Sequence, residues 1–173
     1  MIKVSSLPGP AGVDGDARDQ RAEGGNVLKQ WLKADHIQVC ERADDWQQAV
    51  TLSAQPLLQS GAISTDYLTA IFRQYQALGP YFVLAPGIAM PHARPEEGAR
   101  ALGLSLLKLH QGVRFHSQDN DPVRVVVMLS APDGESHIEL IAQLAELFAD
   151  EQAMNALFNA DSVQQIEDII DRY

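Results

Sequence analysis

The sequence predicts an α/β fold in which a mixed central β-sheet is flanked by helices on both sides. Three observations carry that expectation. Segments with apolar residues at helical spacing come first, short strand-like segments fill the middle, and three more helical segments follow. Within the middle, the run from Val123 to Val127 is rich enough in β-branched residues to suit a strand buried on both faces, hence a central one. The length of 173 residues, with 46% hydrophobic and 21% charged, supports one domain with a core of its own.

Along the chain, residues 1–25 combine Gly, Pro, Ser and Asp with few large apolar side chains. Burial there cannot offset the entropy of ordering, so a flexible tail is expected ahead of a domain over 26–173. NVLKQWLKAD is expected to form a short amphipathic helix and HIQVC a strand, begun by His36. Asp44 and Asp45 can cap a helix over WQQAVTLSAQPLLQSG, with a kink expected at Pro56. Ser64 caps the next, STDYLTAIFRQYQALG, whose apolar stripe runs through Tyr67, Leu68, Ile71, Phe72 and Tyr75 before Gly79 and Pro80 stop it. YFVL, IAM, ALGLSLLKL, a short piece over Val113 to His116, and VRVVVMLSA are the expected strands. HIELIAQLAELFAD, EQAMNALFNA and SVQQIEDIIDRY complete the chain as helices.

Composition narrows the function classes. A net charge of −10 argues against nucleic acid, which demands a basic surface to neutralise phosphates. From Asp133 to Tyr173 there are ten acids against one base, Arg172. Such a face favours encounter with a basic partner, and it is equally a solvated helical surface that keeps the protein soluble. One cysteine, Cys40, rules out a disulfide framework and reads as a small buried hydrophobe. No apolar run approaches the roughly 18 to 20 residues of a membrane span, and MIKVSSLPGPAG lacks a secretory signal's apolar stretch, so the expected compartment is the cytoplasm. Neither His-x-x-x-His nor paired cysteines occur, and Walker, G-x-S-x-G and G-x-G-x-x-G patterns are missing too. No metal and no cofactor are therefore expected.

Two of the five histidines sit where histidines do chemistry. His92 ends an extended segment, PGIAMP, just before the polar turn ARPEEG, and Pro91 biases Met90 away from helix. His137 follows SAPDGES at the junction of the most apolar strand with a helix; capping by Ser136 or Asp133 would put it in the first turn. A neutral imidazole is a good nucleophile whose second nitrogen can be fixed by a hydrogen bond. A phosphoryl group received there needs donors, which free N–H groups at a helix start supply, and a second His or an Arg to stabilise charge. Besides His137, Arg73 and Arg94 are candidates for that second task, and Ser136 is a further candidate to bind the phosphoryl group. His36, His110 and His116 adjoin strand ends or turns and need no function.

YFVLAPGIAMPHA, with its core Gly87-Ile88-Ala89-Met90-Pro91-His92-Ala93, resembles the phosphorylation-site segment of the mannitol/fructose-type enzyme IIA domains of the bacterial phosphoenolpyruvate-dependent sugar phosphotransferase system. DWQQAVTLSAQPLLQSGAISTDYLTAI resembles that family's first two helices, and VVVMLSAPDGESHIELIAQLAELF its strand-to-helix segment with a second histidine. The resemblance implies the mannitol-type enzyme IIA sandwich and a cytoplasmic phosphocarrier. His92 would accept a phosphoryl group from phospho-HPr and pass it to a cysteine of a cognate enzyme IIB, while His137 would steady it. Of the branches, LGPYFVLAPGIAMPHARPEEG is most similar to the ascorbate type, coupled to a membrane enzyme IIC that handles L-ascorbate. Mannitol-type members carry a helix arginine nearer the active histidine; here Arg73 stands 19 positions before His92, across a longer loop. Two further readings stand beside transport. One is a regulatory module of the same fold whose phosphorylation controls a partner, and the other a phosphodiesterase using His92 and His137 as acid and base.

Overall fold

The computed structural model describes residues 27–173, so the expected tail over 1–25 lies outside the described residues. The β-branched run forms β5 (Val123–Ser130), the middle strand of a five-stranded sheet. On one side β5 pairs antiparallel with β4 (Gly103–Val113), which in turn pairs parallel with β1 (Ile37–Cys40). On the other it pairs parallel with β3 (Ile88–Ala89), and β2 (Val83–Ala85) closes that edge antiparallel to β3. The sheet is mixed, with order β1-β4-β5-β3-β2.

Strand side chains alternate between faces, and here both faces are apolar. Val126 and Met128 of β5, with Leu107 and Leu109 of β4, pack into a core under α2 (Trp46–Ser60) and α3 (Thr65–Leu78). Val125, Val127 and Leu129, with Leu104 and Leu106, face the opposite core. That second core is covered by α1 (Val27–Trp31), α4 (Ile138–Ala149), α5 (Glu151–Phe158) and α6 (Val163–Ile170). Helices thus cover both faces, as the chain order predicts.

Two cations anchor α5 to the sheet. Lys108 of β4, almost fully buried, donates from Nζ to the Ala160 carbonyl at 2.6 Å, and burial pulls its ammonium below the usual lysine value. Arg124 donates to the Phe158 carbonyl at 2.6 Å, with its guanidinium 5.3 Å from the Phe158 ring centre. Arg124 thereby meets the last carbonyl of α5, where the helix dipole is negative, and Lys108 meets the connection just beyond it.

Several local expectations change. Helix α2 runs through Pro56, which lacks an N–H for the Leu52 carbonyl. The side chain of Gln38 on β1 supplies the missing donor, Nε2 to O at 2.7 Å, while Ser105 of β4 donates its hydroxyl to the neighbouring Ser53 carbonyl. Asp45 alone caps α2, accepting from the Gln48 N–H at 2.8 Å; Ser64 occupies the N-cap position of α3 without a side-chain bond. His36 lies in a 3₁₀ turn (Ala34–His36) before β1, its Nδ1–H donating to the Leu104 carbonyl at 2.8 Å. The expected strand over Val113 to His116 does not form. Val113 ends β4, and the Asp121 carboxylate accepts the N–H groups of Phe115 and Ser117 instead, which bends the chain away. His110 is therefore inside β4 rather than at its end, and Cys40 is half-buried rather than buried.

Replacing Gln38 with Ala leaves the Leu52 carbonyl without its partner and should cost about 1 kcal/mol. Urea unfolding of wild type and Gln38→Ala checks this through the shift in midpoint, with an unchanged slope expected.

Candidate functional site

The parallel pairing of β3 with β5, Ile88 opposite Val125 and Ala89 opposite Val126, sends both chains out at the same sheet edge. From β3 the chain continues through Met90 and Pro91 to His92; from β5 it continues through Ala131 and Asp133 to His137. Ligands in open sheets bind outside the carboxyl ends of strands, and here that place is a cavity of about 220 Å³. His92, His137, Tyr67, Met90, Ile141 and Asp133 are among its lining residues.

His92 is half-buried, with Nδ1 lying 2.8 Å from the Met90 carbonyl. A carbonyl only accepts, so Nδ1 carries the proton and Nε2 keeps a free lone pair. His137 occupies the N-cap position of α4 rather than its first turn. Its Nδ1 is buried and has no hydrogen-bond partner among the described residues. One imidazole is therefore locked in a tautomer, and the other is held by packing alone. Ahead of it, the Asp133 carboxylate accepts the N–H groups of Glu135 at 2.8 Å and Ser136 at 2.7 Å. Those two bonds hold its carboxyl below the usual 3.8. Ser136 is exposed, its side chain makes no cap, and it does not line the cavity.

Neither arginine lines the cavity. Arg73 of α3 binds Glu97 at 2.8 Å, on the 3₁₀ turn (Pro95–Glu97) that follows His92. Arg94 points to solvent, 4.0 Å from Glu96. Among the described residues, no group of three or more His, Cys, Asp or Glu side chains is placed to hold a metal ion. No described helix is long and apolar enough to cross a membrane.

Two tyrosines that the sequence places only in an apolar stripe and a strand hold the His92 segment. Tyr67, 1% exposed, donates its hydroxyl to the Leu129 carbonyl at 2.7 Å and accepts the Ala93 N–H at 3.1 Å. It thereby ties α3, the exit of β5 and the residue after His92 together. Tyr81 reaches the His92 carbonyl at 2.5 Å. Burial pushes both phenols up to about 12, so both stay neutral across the ordinary pH range. Gly98 finishes this segment with φ of 124°; a Cβ there would lie 2.6 Å from Ser64 Oγ and 2.8 Å from the Tyr67 nitrogen. That close approach seats the His92 loop on the start of α3.

Fold and site together define a class: an α/β domain with two histidines beyond the carboxyl ends of two parallel strands. Over residues 30–173 the chain matches the family described as "Phosphoenolpyruvate-dependent sugar phosphotransferase system, EIIA 2", and it belongs to that family. It is 43% identical over 145 residues to the mannitol-specific cryptic phosphotransferase enzyme IIA component of Escherichia coli K12, covering 84% of this chain and 98% of the relative. With the ascorbate-specific EIIA component of the same organism it shares 39% over 137 residues, 79% of this chain and 89% of the relative. The solution structure of an Escherichia coli mannitol-specific cryptic enzyme IIA superposes with a TM-score of 0.78 at 42% identity, covering 84% of this chain and 99% of that one. These similarities bear out the expected family and sandwich fold.

Removing the Tyr67 hydroxyl takes the partner from two main-chain groups, the Leu129 carbonyl and the Ala93 N–H, so Tyr67→Phe should lose about 1 to 3 kcal/mol in urea unfolding. The pH dependence has a definite sign. A phenol raised from 10.0 to about 12 on folding adds stability fully present below pH 10 and lost as pH rises through about 12. Stability measured between pH 9 and 12 should therefore fall in the wild type, and less steeply in Tyr67→Phe.

Proposed function

We propose that this protein is a cytoplasmic phosphocarrier in which His92 takes a phosphoryl group from phospho-HPr and gives it to a cysteine of a cognate enzyme IIB. The observation that carries the reading is the His92 tautomer. With Nδ1–H committed to the Met90 carbonyl, the Nε2 lone pair is the free nucleophile of a half-buried ring beside a cavity. In the first step Nε2 attacks phosphorus as the P–N bond to the HPr histidine breaks, and that histidine leaves with its electron pair. In the second, a thiolate of enzyme IIB attacks the same phosphorus, a P–S bond forms, and Nε2 recovers its lone pair. No proton need leave Nδ1 in either step, so the Met90 bond persists throughout.

His137 serves the charge on the transferring group. Its ring lines the same cavity, so a ring N–H there can donate to a phosphoryl oxygen. Arg73, Arg94 and Ser136 have no such support, since none of them lines the cavity. The sugar is recognised elsewhere, by the membrane enzyme IIC. L-ascorbate is the expectation from the His92 segment, and a mannitol-type relative of similar identity stands beside it.

Incubation with phosphoenolpyruvate, enzyme I and HPr should add one phosphoryl mass to the intact protein. The label should be acid-labile, as a phosphoramidate is, and absent in His92→Ala. Full labelling of His92→Ala would move the acceptor elsewhere. His137→Ala should still be labelled but pass the group to enzyme IIB about 10- to 100-fold more slowly. Labelling of the wild type with no onward transfer to any enzyme IIB would favour the regulatory role.

A further inference from the structure

The main chain of His92 is held by a line of side chains that no motif contains. Tyr81 follows the Gly79-Pro80 stop of α3, and its ring stands edge-on to the His92 imidazole, centroids 5.6 Å apart and planes at 71°. Its hydroxyl lies 2.5 Å from the His92 carbonyl and 2.9 Å from Gln74 Oε1. Gln74 Nε2 is 3.4 Å from Glu97 Oε1, and the other Glu97 oxygen takes Arg73 at 2.8 Å. Arg73, Gln74 and Tyr81 thus form one chain from a surface ion pair to the carbonyl of the proposed phosphoryl acceptor.

We infer that Tyr81 is a positioning residue for His92: its phenol fixes the main chain at residue 92 so that Nδ1–H meets the Met90 carbonyl and Nε2 stays the free nitrogen. This rests on the phosphocarrier reading of His92. Its physical basis is local. The Nδ1–H bond closes a small loop over two residues, from the ring of His92 back to the carbonyl of Met90, and its geometry depends on the torsions of residue 92 itself. A hydrogen bond on the carbonyl of that residue, from a phenol whose ring also packs against the imidazole, restrains those torsions from the outside. The phenol has one proton and two neighbouring acceptors: the shorter 2.5 Å contact takes it to the His92 carbonyl, and Gln74 Oε1 at 2.9 Å is the competing acceptor. Arg73 then acts three links away from Tyr81, through Glu97 and Gln74. By pairing with Glu97 it ties the turn after His92 to α3, a place for this arginine that requires no contact with the phosphoryl group.

The test reads the tautomer directly, with no phosphoryl donor. Ring ¹⁵N shifts of His92 at about pH 8, where an ordinary imidazole is neutral, should show one Nδ1-protonated form in the wild type. In Tyr81→Phe, which keeps the ring and removes the hydroxyl, the two ring shifts should move toward each other as the second tautomer becomes populated. Phosphoryl acceptance from phospho-HPr should fall about tenfold, since small misplacement of a reacting atom is costly. Tyr75→Phe is the control. It deletes a phenol bond of the same kind, to the Phe115 carbonyl at 2.8 Å, and should cost stability without moving the His92 signals. Unchanged His92 shifts in Tyr81→Phe, equal movement in Tyr75→Phe, or two comparably populated tautomers in the wild type would each overturn the inference. A wild type with a single tautomer that accepts no phosphoryl group would overturn the phosphocarrier reading instead, leaving the role of Tyr81 to the shifts.

Discussion

The parallel register of β3 against β5 is the constraint on which the site depends. Two residues of β3 suffice to set it, because β5 is already fixed by its antiparallel partner β4 and by apolar side chains on both of its faces. Parallel neighbours leave the sheet at the same edge, so the segment carrying His92 and the one carrying His137 converge although 45 positions separate them. An antiparallel β3 would send His92 to the far edge. The cavity is thus a product of strand direction, and the histidines need only occupy the exits.

What the sheet brings together, main-chain contacts then hold in orientation. The segment after β3 has no regular partner for its polar groups, and buried N–H and C=O groups demand one. Tyr67 and Tyr81 meet that demand from α3 and from the connection that follows it. Phenols suit the task because burial keeps them neutral, so they satisfy the main chain without placing a charge beside the two imidazoles. The arginines that flank the His92 segment are directed elsewhere, Arg73 to Glu97 and Arg94 to solvent. The cavity is lined instead by two imidazoles and one carboxylate, Asp133, whose oxygen is occupied by main-chain N–H groups.

The order of helices and strands was legible because periodicity reports which face of a segment is buried, and the VRVVV run marked the central strand correctly. His92 and His137 were legible as occupants of strand exits, and the three resembling segments gave the family. The phenols were not. Tyr67 and Tyr75 sit in one apolar stripe, yet their hydroxyls bind carbonyls 62 and 40 positions away, and periodicity carries no information about that choice. Arg73 was misleading for a related reason. Its partner Glu97 lies in a polar turn that looked solvated, and only the folding of that turn onto α3 makes the pair. The expected strand at Val113 to His116 failed because Asp121 offers Phe115 and Ser117 a nearer acceptor than any strand.

The carbonyl that Pro56 leaves open has a consequence for how α2 is held to the sheet. Helix α2 contains its own interruption, and the donor that mends it belongs to β1, 14 residues earlier in the chain; the hydroxyl on the adjacent carbonyl comes from β4, 52 residues later. Local hydrogen bonding alone therefore leaves one carbonyl of α2 without a donor, and the sheet supplies it. Such coupling ties α2 to the sheet by polar contacts as well as by apolar packing, and the layer bearing Tyr67 shares that anchorage because α3 packs upon it.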